Sequence, residues 1–562
     1  MTGNAGRLSL FVAWGLAALL YAWWASPRLA APPLADEAFF SMQALEHGHD
    51  LDTTLSTIPH PPLYMELLRA GVRLFGWGSA EFRAMGMAAF LMTMALVGWL
   101  AQRCVPGAGP WAMLLWAIHP MAVQGSLILD IDNTVLATAM AAFMLACVWA
   151  PWPLSARRRW LLTALWFLGL WMKLSGVLVL GVPLALAWWL SGRRRSDLLS
   201  CIMIAGTGTA AFAVSWWWYT HQAGADPAII LRHTGGSLRY AWHITPLSGL
   251  QEVGLRLARV GFWWLPWAWV LAAAALWRTL RLPQGPLRWR MGVLGISSLL
   301  IGAAYLVVRG THYTFPKYHY PLLAFAIVWW SALAVHAQPV WTARARMTAA
   351  AVVGLMAAAT WHLGDALYTI NAALRQATIE QPEHVGNILH GLAVRLLAWA
   401  LAGAVLWVVW RAAGRQRGVL VPSLLLLAGA SLAHDVWQRQ ASYATTFCYG
   451  RSYDDFREVT RRVDALRKAH PESEVFLPVD ISHALGYTEA EWNRMSPLSS
   501  DMRRFAAQLP QRLSERSLGV LVWSWTYNSA SQVALFNRPD IQDLLRRSFR
   551  QERIGEYTLW HR

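Results

Sequence analysis

The sequence predicts a polytopic α-helical membrane protein of about 13 spans with a small C-terminal α/β domain. Three observations carry this. Hydrophobic residues make up 56% of the 562 residues and charged residues 14%, against about 25% charged in soluble domains. Apolar runs follow one another through residues 1–433, separated by short basic clusters. Residues 434–562 are polar and mixed in charge, with only short apolar runs. This composition excludes a disordered, collagenous or coiled-coil chain and an ordinary soluble enzyme.

A bilayer-crossing helix needs about 20 apolar residues. Candidate spans start near residues 8, 82, 107, 133, 160, 174, 197, 261, 291, 320, 347, 391 and 418. The first run continues to about residue 27 without a small-residue cleavage site, and reads as a retained span. Clusters at Arg7, Arg103, Arg157-Arg158-Arg159, Arg193-Arg194-Arg195, Arg278 to Arg290, Arg344-Arg346 and Arg411 to Arg417 fall at every second connection. All are cytoplasmic if the N-terminus is inside. The opposite, external side then receives 28–81, 125–132, the turn at Lys173, 219–260, 309–319, 364–390 and the tail. Nearly all acids of the membrane part fall on that side, with Asp197 the exception.

Net charge is +17. Residues 1–433 carry 30 Lys and Arg against 15 Asp and Glu, and the tail 18 against 16. The excess belongs to the membrane part, where orientation explains it, so a nucleic-acid partner is not expected. The four cysteines are too few and too dispersed for a disulfide framework. In the tail, 474–477 and 518–523 read as short buried strands and 453–469 and 531–548 as amphipathic helices. Their alternation predicts a small α/β domain.

Ionisable residues beside membrane spans are costly, so each is a functional candidate. Asp36-Glu37 lies between apolar residues after the first span. A desolvated carboxylate there can take a proton from a hydroxyl or amine nucleophile; the alternative is a solvated pair or a helix cap. Asp130 and Asp132 flank Ile131 at an external helix end. They can hold a cation or sugar hydroxyls, and Asp132 can equally cap the helix that follows. His60 precedes Pro61-Pro62, which stiffen the loop before an amphipathic helix from Leu63 to Leu74. It can meet phosphate or shuttle a proton, or simply sit in a structural turn. Lys173, Arg309 and Lys317 are external cations that positive-inside bias disfavours, as are Arg232, His233, Arg239 and Arg256. A lipid phosphate is their natural ligand; snorkelling to headgroups is the alternative reading, strongest for Arg256.

Taken together, these residues resemble the GT-C superfamily of integral-membrane glycosyltransferases. The closest likeness is to protein O-mannosyltransferases and lipid A aminoarabinose transferases. Asp36-Glu37 matches that branch's external acidic motif, and His60-Pro61-Pro62-Leu63 the mannosyltransferase form of its loop motif. The aminoarabinose transferases carry Lys where His60 stands, so their lysine contact does not carry over. Phe75-Gly76, Glu81 and Arg83 fit the following stretch, and Asp130-Ile131-Asp132 a second acidic patch. Lys173-Leu174-Ser175-Gly176 and Lys317-Tyr318-His319-Tyr320-Pro321 fit weaker patterns. The resemblance covers residues 8–433; the tail carries no assignable motif.

The resemblance implies a GT-C fold and a polyprenyl-phosphate sugar donor, such as an undecaprenyl-phosphate sugar. It implies direct displacement with inversion and a lipid, glycan or protein acceptor. It makes Asp36 the base and Glu37 a positioning acid, with Lys173, Arg309, Lys317 and His60 at the donor phosphate. Asp130, Asp132, His319 and Tyr320 are expected around the sugar, the acceptor or a metal. No cofactor is required, although a divalent metal stays open at the Asp130/Asp132 patch. The expected location is a bacterial inner membrane, with the tail periplasmic. A multi-span transporter of a lipid-linked sugar, or a proton-coupled one, is the alternative. Against it, the key charges gather at one face rather than at the midplane.

Overall fold

A computed structural model describes residues 4–26, 60–76, 79–131, 135–149, 152–228, 267–307, 316–337, 453–488, 502–514, 518–524, 538–555 and 557–562, with single positions and pairs between them. The spans expected near 347, 391 and 418 lie outside these residues.

The membrane part opens with α1 (Asn4–Ala25). Helix α2 (Leu63–Phe75) follows Pro61-Pro62 and buries Tyr64, Met65 and Leu68. Leu67, Leu74 and Phe75 on its other flank are exposed, the two-sided pattern of a helix lying along an interface. It stops at Gly76, whose φ of 87° is a left-handed value suited to glycine. Helix α3 (Ser79–Cys104) is next. The path expected from residue 107 is two helices, α4 (Ala108–Ile118) and α5 (Pro120–Ser126), parted at His119. A residue before proline is pushed out of helical conformation, and His119 is extended, at φ −70° and ψ 122°.

Then come α6 (Val135–Val148), α7 (Ala156–Met172), α8 (Gly176–Leu190), α9 (Arg195–Gln222), α10 (Trp267–Arg281) and α11 (Pro286–Val307). A 3₁₀ turn, Pro316–His319, leads into α12 (Tyr320–Ala337). Among the described residues, three helical stretches are long and apolar enough to cross a membrane: Arg83–Cys104, Arg195–Gln222 and Pro286–Leu306. Leu8–Trp23, Val135–Val148, Val179–Leu190 and Tyr320–His336 are shorter and apolar.

Helix α12 is the centre of the bundle. It packs on α3, α4 and α6 and is buried without interruption from Tyr320 to Leu333, as expected of a helix apolar on every side. Helix α9 is peripheral. Its inward stripe, Asp197, Ser200, Ile204, Gly208, Phe212, Trp216 and Thr220, recurs every three to four residues, while Leu199, Ile202, Met203, Val214, Trp217 and Trp218 are exposed. Gly208 is required by packing, because a Cβ there would lie 2.7 Å from Trp166.

Three of the basic clusters, at Arg103, Arg158 and Arg290, meet at one end of the bundle. Arg290 donates to the carbonyls of Arg103, Val148 and Trp149 at 2.9–3.1 Å. Arg158 donates to those of Ala146 and Cys147. These guanidinium groups satisfy carbonyls that the helix C-termini leave free and offset the negative end of the helix dipole.

The tail forms a sheet of order β1-β2-β4-β3. Strand β1 (Glu474–Phe476) runs parallel to β2 (Leu518–Ser524). Strand β4 (Tyr557–His561) lies antiparallel between β2 and β3 (Arg550–Ile554). Side-chain alternation from Val520 onward divides two cores, and a register shift in the β1–β2 pairing puts Leu518 on the side of Leu521. Val520, Val522, Tyr557 and Leu559 face α13 (Tyr453–Ala469) and its Phe456, Val459 and Val463. Leu518, Leu521 and Trp560 face α15 (Met502–Ser514) and α16 (Pro539–Ser548). A short helix, α14 (Val479–Ala484), follows β1. The two expected strands and the helix at 453–469 are present; of the second expected helix, at 531–548, the described residues show α16 and a helical pair at Leu535 and Phe536. The β3–β4 hairpin was not expected from the sequence.

Candidate functional site: the end of the bundle opposite the arginines

Lys173 is placed by a tight helical hairpin. Its N–H still bonds the Gly169 carbonyl at 3.0 Å, but its own φ and ψ, −162° and 131°, are extended. The Gly176 N–H bonds the Lys173 carbonyl at 2.9 Å, and α8 begins at once. Gly176 permits this closeness, since a Cβ there would lie 3.0 Å from the Gly169 carbonyl oxygen. The hairpin turns the lysine inward. Only 7% of Lys173 is exposed, and its Nζ lies 4.6 Å from the centre of the Tyr318 ring. A buried ammonium is costly unless compensated, and the electron-rich ring face supplies part of that compensation.

Tyr318 belongs to the 3₁₀ turn. It stacks on Tyr305 of α11 at 5.8 Å. Beside it His319 is buried, its Nε2 3.2 Å from the Gly302 carbonyl, and burial pushes its imidazole down to about 4. Neutral at ordinary pH, it can donate or accept a hydrogen bond without adding charge. Tyr320 is also buried and donates its hydroxyl to the Ala122 carbonyl at 3.1 Å. That bond ties the start of α12 to the broken path at α5. From the other side, the Tyr21 hydroxyl meets Ser126 Oγ at 2.8 Å.

Asp130 lies four residues past α5, and 2% of it is exposed. His60 is half-buried immediately before Pro61-Pro62. The buried Phe40 meets Tyr64 of α2 edge-on at 5.2 Å. This contact brings the chain just after Asp36-Glu37 against the start of α2.

The sequence-derived site is thus described in part. Asp130, Lys173, His60, His319 and Tyr320 are placed at the end of the bundle away from Arg103, Arg158 and Arg290. Asp36, Glu37, Asp132 and Arg309 lie outside the described residues, as do Arg232, His233, Arg239, Arg256 and the side chain of Lys317. Among the described residues, no three His, Cys, Asp or Glu side chains are grouped to hold a metal ion. Sequence reasoning missed Tyr318 and Tyr305. The available signal was a tyrosine next to an external lysine, Lys317-Tyr318.

A helical bundle with buried charge at one end, followed by an α/β tail, is an arrangement that solved structures share. Over 99% of this chain and 98% of the other, it matches the crystal structure of ArnT from Cupriavidus metallidurans bound to undecaprenyl phosphate, with TM-score 0.50 and 15% identity. The crystal structure of the same ArnT in the apo state matches with the same values. No protein-family model and no curated protein sequence matches the chain. The chain therefore has the ArnT fold.

Proposed function

We propose that this protein is an inverting glycosyltransferase that moves a sugar from a polyprenyl-phosphate donor to an acceptor at the external face of a bacterial inner membrane. The observation that carries the reading is Lys173, an ammonium buried at the end of an apolar bundle and held over Tyr318. Such a cation suits a phosphate that arrives on a lipid. The match to a structure bound to undecaprenyl phosphate supports the same donor. In this reading about 13 spans precede a periplasmic domain of residues 434–562.

The acceptor hydroxyl or amine gives its proton to the Asp36 carboxylate. Its freed lone pair bonds the anomeric carbon from the side opposite the lipid. The bond from that carbon to the phosphate oxygen breaks, and polyprenyl phosphate leaves. Lys173, Arg309 and Lys317 stabilise the charge that gathers on the departing phosphate, with His60 beside them. Glu37 positions the acceptor or the donor sugar. Asp130 and Asp132 hold sugar hydroxyls, and His319 offers a neutral hydrogen bond. Tyr320 fixes the start of α12 against α5. No metal is assigned a step.

The test offers purified protein a panel of polyprenyl-phosphate sugars and reads release of polyprenyl phosphate by mass spectrometry, for the wild type and Asp36→Asn. Release with one sugar, lost in the folded variant, supports the reading and names the donor. Folded protein that binds no polyprenyl-phosphate lipid and releases none overturns it.

A further inference from the structure

One cavity lies outside the bundle end described above. It occupies about 590 Å³ and runs along α13, with Pro32 of the chain after the first span on its wall. That volume lies within the ~300–1,000 Å³ of small-molecule sites. Pro32 stands four residues ahead of Asp36.

The groove follows one stripe of α13. Phe456, Val459 and Val463 turn toward the sheet, while Arg457, Thr460, Arg461, Asp464 and Arg467 line the cavity at helical spacing. Three guanidinium groups therefore face it with one carboxylate. Arg457, Arg461 and Arg467 pair with Asp454, Glu458 and Asp464, each one helical turn back, at 3.6, 2.6 and 3.4 Å. The side chains of Arg457 and Arg461 are 66% and 70% exposed. Exposed pairs at this spacing are weak, so an arriving anion can compete for the forks, which suit phosphate or carboxylate. Arg467 is held in place by the Tyr487 ring and the Leu485 carbonyl. Thr460 Oγ1 is buried and has no hydrogen-bond partner, so a donor is already available at the groove.

We infer that this groove is the acceptor subsite and that it takes an anionic group, phosphate or carboxylate, carried by the acceptor. The inference rests on the glycosyltransferase reading. It assigns acceptor choice to the tail, whose groove is walled by the segment leading to Asp36.

The test uses the full chain in phosphatidylcholine nanodiscs, titrated with glucose 1-phosphate, glucuronate and glucose. The two anions are expected to bind and glucose not to. Arg457→Gln with Arg461→Gln should weaken anion binding about tenfold or more, the scale of a lost charge-assisted hydrogen bond. Arg457→Lys with Arg461→Lys should retain much of it and shows that the helix tolerates substitution. Discs doped with phosphatidic acid separate the sources: competition that requires the arginines assigns a lipid-borne anion, and its absence a soluble one. Equal binding of glucose and the anions, or binding indifferent to the arginines, overturns the inference. Donor release by the wild type tests the transferase reading separately. If no donor is released while the groove still binds anions, the acceptor role falls with that reading.

Discussion

The Lys173 ammonium lies 4.6 Å from the centre of the Tyr318 ring, so the turn after α7 and the 3₁₀ turn before α12 meet through one cation and one aromatic face. Lys173→Met should lower donor turnover about 10²–10³-fold, as expected when a transition-state charge partner is removed. Tyr318→Leu should cost less, about tenfold, because it removes only the ring's hold on the cation. Turnover of the identified donor by folded variants decides this. Full activity in Lys173→Met would remove the lysine from the phosphate site.

At the opposite end the expectation concerns stability rather than activity. Arg290 serves carbonyls on two helices, α3 and the end of α6. Arg290→Met should cost about 1–2 kcal/mol, by loss of charge-assisted hydrogen bonds to carbonyls that are only partly buried. Arg290→Lys should not recover it, since an ammonium lacks the planar fork. Thermal unfolding in detergent measures both, with turnover at low temperature unchanged.

Two glycines should respond in opposite ways. Gly176→Ala places a methyl 3.0 Å from the Gly169 carbonyl, so the hairpin that aims Lys173 must give by a few tenths of an ångström. A misplacement of about 1 Å can cost about 100-fold in rate, so this smaller one should cost about tenfold. Gly71 of α2 has nothing within 4 Å of a Cβ. Gly71→Ala should stabilise by about 0.5–1 kcal/mol through helix propensity. Melting and turnover of the two variants, measured side by side, check the contrast.

In the tail, burial pushes the His483 imidazole down to about 4, against a smaller opposing pull from Asp480. The folded state thus holds this histidine neutral where the unfolded chain protonates it. Its contribution is complete above about pH 6.5 and is lost as pH falls toward about 4. Unfolding followed through that window should show the loss, and His483→Gln should flatten it. An unchanged slope in the variant would assign the acid sensitivity elsewhere.

Much of this architecture was legible because membrane helices announce themselves by length and by the arginines between them. Arg103, Arg158 and Arg290 fell on one side by parity, and the structure brings them to one end through shared carbonyls. The tail strand at 518–524 was legible from an apolar run buried on both faces. The hairpin was not, because Arg550-Gln551-Glu552-Arg553 is a polar edge strand, and charge on an edge suppresses the strand signal as it suppresses aggregation. Lys173 was legible as a cation out of place between two apolar runs. Its partner Tyr318 was not, because a ring face meets a cation only after distant turns pack together.

Arg290 holds the C-terminal ends of α3 and α6 level, yet α6 has 14 residues and α3 has 26. At 1.5 Å per residue the difference is about 18 Å, and for helices side by side it falls wholly at the far end. Asp130 stands ahead of α6, and only 2% of it is exposed. A group that comes against so covered a carboxyl sheds its water first, and every attraction and repulsion there is strengthened by the loss of screening.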